Sequence, residues 1–230
     1  DAFETLLSGA AEDVDMVVCP HETFDETGRV RAVWPETRWY RGSAAHKRRA
    51  AALRLIEGDS VLNIMCGKLI RREMIEREGI RFNGTPGASY QDTSFVFQVW
   101  ASARRAAILP KGYLHYRVDN ANSSVKSSAK VFAVCDEYEL SREFLAKDPE
   151  KQRAFGAIVN LLKLGTYRWN FNRLTDESRR AFAERMREEY LRAREEGTLE
   201  RDMFAPADWE MLNLMMDDFD AFMARFESGM

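Results

Sequence analysis

Apolar positions along this chain change period near residue 128, and the change divides it into a sheet-forming part and a helical part. Phe3, Leu6 and Leu7 share one face of an opening amphipathic helix. VDMVVCP (Val14 to Pro20) is a β-branched run bounded by acidic residues and Pro, the mark of a buried strand. HETFDETGRVRAVW alternates apolar and polar residues around Asp-Glu-Thr-Gly, which predicts a hairpin. SAAHKRRAAALRLIEGD is rich in helix formers and closes at Gly58, and SVLNIM is a short strand leading to Lys68. Glu73 to Gly79 completes a brief helix with a Gly stop, and a loop with Gly84, Pro86 and Gly87 leads to Asp92. FVFQVWASARR predicts a helix with Asp92 or Thr93 as its cap, AAILP and GYLHYRV predict two strands, and Ala121 to Ser128 is a polar loop.

Beyond Ser128 the pattern is helical almost without interruption: Ala129 to Ala146, Pro149 to Asn170, Asp176 to Glu196, and Ala207 to Phe226. Asp148-Pro149, Thr175-Asp176 and Pro206-Ala207-Asp208 are helix starts, and Gly197 is a stop. The last helix is unusually apolar, with Trp209, Leu212, Met215, Met216, Phe219 and Phe222 among its residues. Packing against neighbouring helices is its first use, with homodimer formation and peripheral membrane contact as the next. The expected fold class is α+β: a partial mixed sheet with flanking helices over residues 1–128, then a helical extension over 129–230.

A chain of 230 residues with 45% apolar and 31% charged residues buries a core without disulfide or metal. Its apolar runs are too short to span a bilayer. The net charge of −3 gives no general attraction to nucleic acid. Cys19, Cys66 and Cys135 are an odd count at wide spacing, which favours a reducing, cytoplasmic setting over a disulfide framework. No second CxxC or HxxxH spacing accompanies Cys19 or His21, so no metal ligands are assigned. The chain opens inside an amphipathic helix without an initiator Met, and the expectation is a piece cut from something longer.

Three segments carry chemistry in order. YQDTSF (Tyr90 to Phe95) presents Asp92 either as a helix cap or as a free carboxylate. CGKLIRRE places Lys68, Arg71 and Arg72 at a strand end, on a solvated face or beside an anionic ligand, with Gly67 permitting close backbone approach. HYRVDNANSS offers Tyr116, Arg117 and Asn120 in a hydrated loop or as aromatic and planar hydrogen-bonding groups of the kind that bind sugars.

As an ordered series, these segments resemble the back half of a family 2 glycosyltransferase. There a basic KLxRRE turn, an acidic pair and a YR segment follow one another. The resemblance covers roughly the first 145 residues. It implies the acceptor side of a nucleotide-diphospho-sugar transferase fold (GT-A type) and inverting transfer from a nucleotide-sugar donor to a glycan or cell-surface polysaccharide. It further implies Asp92 as general base, Gln91, Tyr116, Arg117 and Asn120 on the acceptor side, and Lys68 and Arg71 supporting the cleft. Gln91 stands where the family most often has Glu. The resemblance also implies a divalent cation, Mn or Mg, held in the parent enzyme by residues not in this chain. Asp13-Val14-Asp15 opens a strand and is not the metal-binding turn of that family, so the chain alone is expected to be inactive. The expected location is cytoplasmic, either free or peripheral at the inner face of the membrane.

Two rivals stand beside this reading. One is a non-enzymatic helical interaction module, for which Asp92 would be a buried cap. The other is a nucleic-acid-binding domain, which needs His46 to Arg54 and Arg71 to Arg77 to form one continuous basic face.

Overall fold

The structure, a computed structural model, describes residues 2–19, 21–28, 30–32, 38–41, 65–85, 90–109, 114–117, 119 and 131–227. The fold is α+β, and the chain divides into two compact units, Asp1–Lys126 and Ser127–Met230. The segments 43–59 and 121–128, Asn120, and all of SVLNIM except Met65 lie outside the described residues.

In the first unit, helix α1 (Ala2–Ser8) precedes strand β1 (Met16–Val18), which is central in a mixed sheet. Met16, Val17 and Val18 are each at most 1% exposed. This explains why the run is continuously apolar rather than alternating: a strand covered on both faces has no solvent side. Strand β4 (Arg38–Arg41) pairs antiparallel with β6 (Arg105–Ile108), β6 parallel with β1, and β1 antiparallel with β5 (Lys68–Ile70). Val17 lies opposite both Ala107 and Leu69. Leu6, Val14, Val17, Cys19 and Ala107 form one buried cluster, so α1 is held by the face that carries Leu6.

A second sheet joins β3 (Val30–Ala32), β2 (His21–Phe24) and β7 (Leu114–Arg117) in that order. The expected hairpin is β2–β3, antiparallel with Thr23 opposite Arg31. Its turn closes through Gly28 N–H donating to Asp25 O at 2.9 Å. Strand β7 pairs parallel with β2.

Helix α2 (Arg72–Arg77) follows β5 after a single residue, Arg71. Helix α3 (Gln91–Ser102) starts earlier than expected. Its cap position is Tyr90, at φ 62°, and the cap makes no side-chain hydrogen bond.

The second unit is helical: α4 (Ala133–Ala146), α5 (Pro149–Arg173), α6 (Asp176–Glu195), a 3₁₀ turn (Arg201–Met203), α7 (Pro206–Asp217) and α8 (Phe219–Glu227). Asp148 Oδ1 accepts the N–H groups of Glu150 (2.9 Å) and Lys151 (3.2 Å), with Pro149 at the first helical position. Both features satisfy or avoid orphan donors at a helix start. The single terminal helix expected over 207–226 is broken at Asp218. Its carboxylate accepts the Ala221 N–H at 3.0 Å, so this Asp bonds locally to the backbone and starts a new helix. Leu212, Met215 and Met216 are at most 1% exposed, which puts the apolar face of α7 in the core of this unit.

Candidate functional site

Asp92 stands in the first turn of α3 and is exposed to solvent. The Thr93 N–H is taken by Tyr90 O at 2.8 Å, so the first turn is closed by backbone and not by the Asp92 carboxylate. This corrects the expectation of an Asp92 or Thr93 cap. The left-handed Tyr90 turns the chain sharply enough for its own carbonyl to accept that bond.

The side chain of Gln91 ties the preceding loop to α3. Its amide nitrogen donates to Thr85 Oγ1 (3.0 Å) and Thr85 O (3.3 Å). Three residues upstream of Thr85, the Phe82 ring lies parallel to Phe95, with centroids 3.9 Å apart and planes 1° from parallel. Residues 82–85 therefore run beside the first turns of α3, fastened at both ends. Asp92 lies between Gln91 and Phe95 in sequence.

Lys68 begins β5 opposite Val18. Burial pulls its ammonium down to about 8 from the usual lysine range, while its neighbours Cys66, Cys19 and Asp92 draw it back up. Lys68 and Asp92, separated by 24 positions along the chain, thus share one electrostatic neighbourhood. The strand reaches that place through Gly67, at φ 76°. The Cys19 N–H donates to Gly67 O at 2.8 Å, and a Cβ on Gly67 would stand 2.8 Å from Cys19 O. Only glycine fits both that backbone and that approach.

Arg71 turns toward the protein backbone. Its guanidinium donates to Glu12 O (2.6 Å), Val14 O (3.0 Å) and Ala11 O (3.2 Å), pinning the segment that enters β1.

Tyr116 and Arg117 are exposed on β7, in the second sheet, whereas Lys68 belongs to the first. Arg117 Nε donates to Asp119 Oδ1 at 2.8 Å, and Asp119 Oδ2 accepts the Glu26 N–H at 2.8 Å. The bond from Arg117 holds the Asp119 carboxyl below its usual range. Arg117 therefore braces the β2–β3 turn.

The Asp13-Val14-Asp15 triplet does not fit a cation. Asp13 is paired with Arg105, and Asp15 is 8% exposed and accepts the Arg104 N–H at 2.7 Å. Among the described residues no group of three His, Cys, Asp or Glu side chains is placed to hold a metal, and no helix is long and apolar enough to cross a membrane. Of the two basic runs, the one from His46 to Arg54 lies outside the described residues.

The Phe82–Phe95 stack and the Thr85–Gln91 bonds were not foreseen in the residues. The available signal was the large ring of Phe82 in an otherwise polar loop, followed thirteen positions later by Phe95.

No protein-family model matches the chain, and no curated protein matches it. Among solved structures it is similar to the crystal structure of S. aureus TarS 1–349, with 14% identity and a TM-score of 0.35. The match covers 85% of this chain and 60% of that one, so this chain spans less than two thirds of that chain's length.

Proposed function

We propose that this chain is the acceptor-side part of an inverting glycosyltransferase that moves a sugar from a nucleotide-sugar donor to a glycan or cell-surface polysaccharide, with Asp92 as general base. The observation that carries the proposal is the placement of Asp92: an exposed carboxylate at a helix start, with no capping duty, in the electrostatic neighbourhood of Lys68. Two of the three motifs that suggested the family meet there. An interaction module that used Asp92 only as a buried cap would not leave it open to solvent.

In this reading the acceptor hydroxyl gives its proton to the Asp92 carboxylate as its oxygen bonds to the anomeric carbon. The bond from that carbon to the nucleoside diphosphate breaks on the opposite face, which inverts the configuration. A base within hydrogen-bond reach of that proton contributes ~10²–10⁴-fold. Lys68, cationic at neutral pH, sets positive charge near Asp92. Gln91 holds the loop beside the helix start. A divalent cation bound elsewhere in the parent enzyme would neutralise the leaving diphosphate.

Two measurements test this. Calorimetric titration of the chain with UDP and GDP, with and without Mn²⁺, should give no heat of binding, since the donor half lies outside it. In the parent polypeptide, Asp92→Asn should lower transfer by ~10²–10⁴-fold with an unchanged thermal midpoint. Full turnover by that variant would remove Asp92 from the role of base.

A further inference from the structure

Phe82 carries a large apolar side chain that is only half covered. Its ring is stacked face to face on Phe95, which is itself 7% exposed, yet Phe82 remains 51% exposed. With one face covered by a parallel ring, the exposed area is the opposite face and the edge. Fully burying a Phe stabilises a protein, and the fold leaves part of that gain unrealised here.

The surroundings are polar. Asp92 precedes Phe95 by three positions in α3, and side chains at that spacing are neighbours on one helix face, about 5–6 Å apart at Cβ. Gln91 anchors the loop that carries Phe82 through Thr85. A flat ring with one face open, fixed from behind by a second ring and bordered by a carboxylate, matches one ligand chemistry closely. A pyranose presents C–H groups on its flat face and hydroxyls around its edge. Those C–H groups suit the electron-rich face of an aromatic ring, and the hydroxyls suit the flanking carboxylate. A phosphate or a free carboxylate would gain nothing from the ring, and an aliphatic chain would gain nothing from the Asp92 carboxylate.

We infer that Phe82 is the stacking platform for the acceptor's terminal pyranose, placing an edge hydroxyl of that sugar at Asp92. The inference rests on the functional reading above. It assigns a specificity-determining role: the platform selects a six-membered ring with an unbroken apolar face over an open-chain polyol.

The test is ligand-observed NMR on this chain with methyl β-glucopyranoside as ring probe and glycerol as open-chain control. The expected result is saturation transfer to the pyranoside ring protons with an upfield ring-current shift, and neither effect on glycerol. Phe82→Ala should abolish the shift and Phe82→Trp should retain it, both with unchanged circular dichroism. Phe132→Ala, at an exposed ring of the other unit, should leave it intact. Equal shifts in wild type and Phe82→Ala, equal responses from glycerol and pyranoside, or no response from the pyranoside would each overturn the inference. The two readings fail separately. If the shift depends on Phe82 while Asp92→Asn keeps full turnover, the platform stands and the base assignment falls. If Asp92→Asn abolishes transfer while the sugar signal ignores Phe82, the base stands and the platform falls.

Discussion

The ammonium of Lys163 lies 3.4 Å from the carboxylate of Glu189, and the two side chains are only 6% and 4% exposed. Charges so withdrawn from water persist only when further partners share the cost of desolvation. Glu189 has them: Tyr167 OH donates to it at 2.7 Å and Arg185 Nε at 2.8 Å. Lys163 also sits 4.5 Å from the centre of the Tyr190 ring, whose hydroxyl donates to Asn160 O at 2.8 Å. A polar cluster thus joins α5 to α6 inside the helical unit.

That arrangement makes the two ends of the pair unequal. Glu189→Ala strands a buried ammonium and a buried phenol, and should cost about 3–5 kcal/mol. Lys163→Met leaves Glu189 with Tyr167 and Arg185 and fills the space with an apolar chain, so its cost should be clearly smaller. Urea unfolding of the two variants measures the difference, and equal losses would mean that Lys163 is the indispensable partner.

Lys68 yields a pH dependence of definite sign. Its folded-state value of about 8 lies below the ordinary value of 10.5, so the unfolded chain binds the extra proton between those two values. Burial of Lys68 therefore opposes folding fully below pH 8, and the penalty is relieved as pH rises toward 10.5. The stability of wild type relative to Lys68→Met should rise with pH across that window, by on the order of 3 kcal/mol. Tyrosines titrating in the same range cancel in the difference. A flat difference would show that Lys68 is no more desolvated than a surface lysine.

Gly67→Ala should weaken the first unit. A left-handed backbone costs a non-glycine residue roughly 1–2 kcal/mol, and the new methyl would also meet Cys19 O. Gly84→Ala is the control, because no heavy atom stands within 4 Å of the Cβ it would add. Thermal midpoints separate them: a large fall for Gly67→Ala and little change for Gly84→Ala. Equal midpoints would mean that the β1–β5 edge shifts freely at that point.

Local pattern sufficed where local physics decides. The Val14 to Cys19 run is a buried strand because β-branched residues without polar alternation have no face to give to water. Asp148-Pro149 starts a helix because the carboxylate and the imino nitrogen answer the orphan donors of the first turn wherever that helix packs. The hairpin over 21–32 closes on Asp25 to Gly28 for the same local reason. The pattern misled at Asp92 and Asp218. Both are short carboxylates ahead of apolar residues, yet Asp218 starts a helix and Asp92 does not, because Tyr90 had already closed the turn at Asp92.

The site divides along the same line. By itself, the sequence determined which residues had suitable chemistry: a carboxylate, a lysine, an arginine and aromatic rings in an order that resembles one enzyme family. Tertiary structure alone decided their employment. Arg71 and Arg117 have the right chemistry for anions, but a backbone carbonyl or a nearby carboxylate satisfies each of them, so they brace the fold. Lys68 and Asp92 come together only because β5 pairs with β1 and the chain then returns to start α3. Phe82 acquires its half-open face only when Phe95 covers the other. Spacing along a chain fixes what can meet within a turn or a hairpin, while meetings between distant segments depend on which surfaces the whole fold buries.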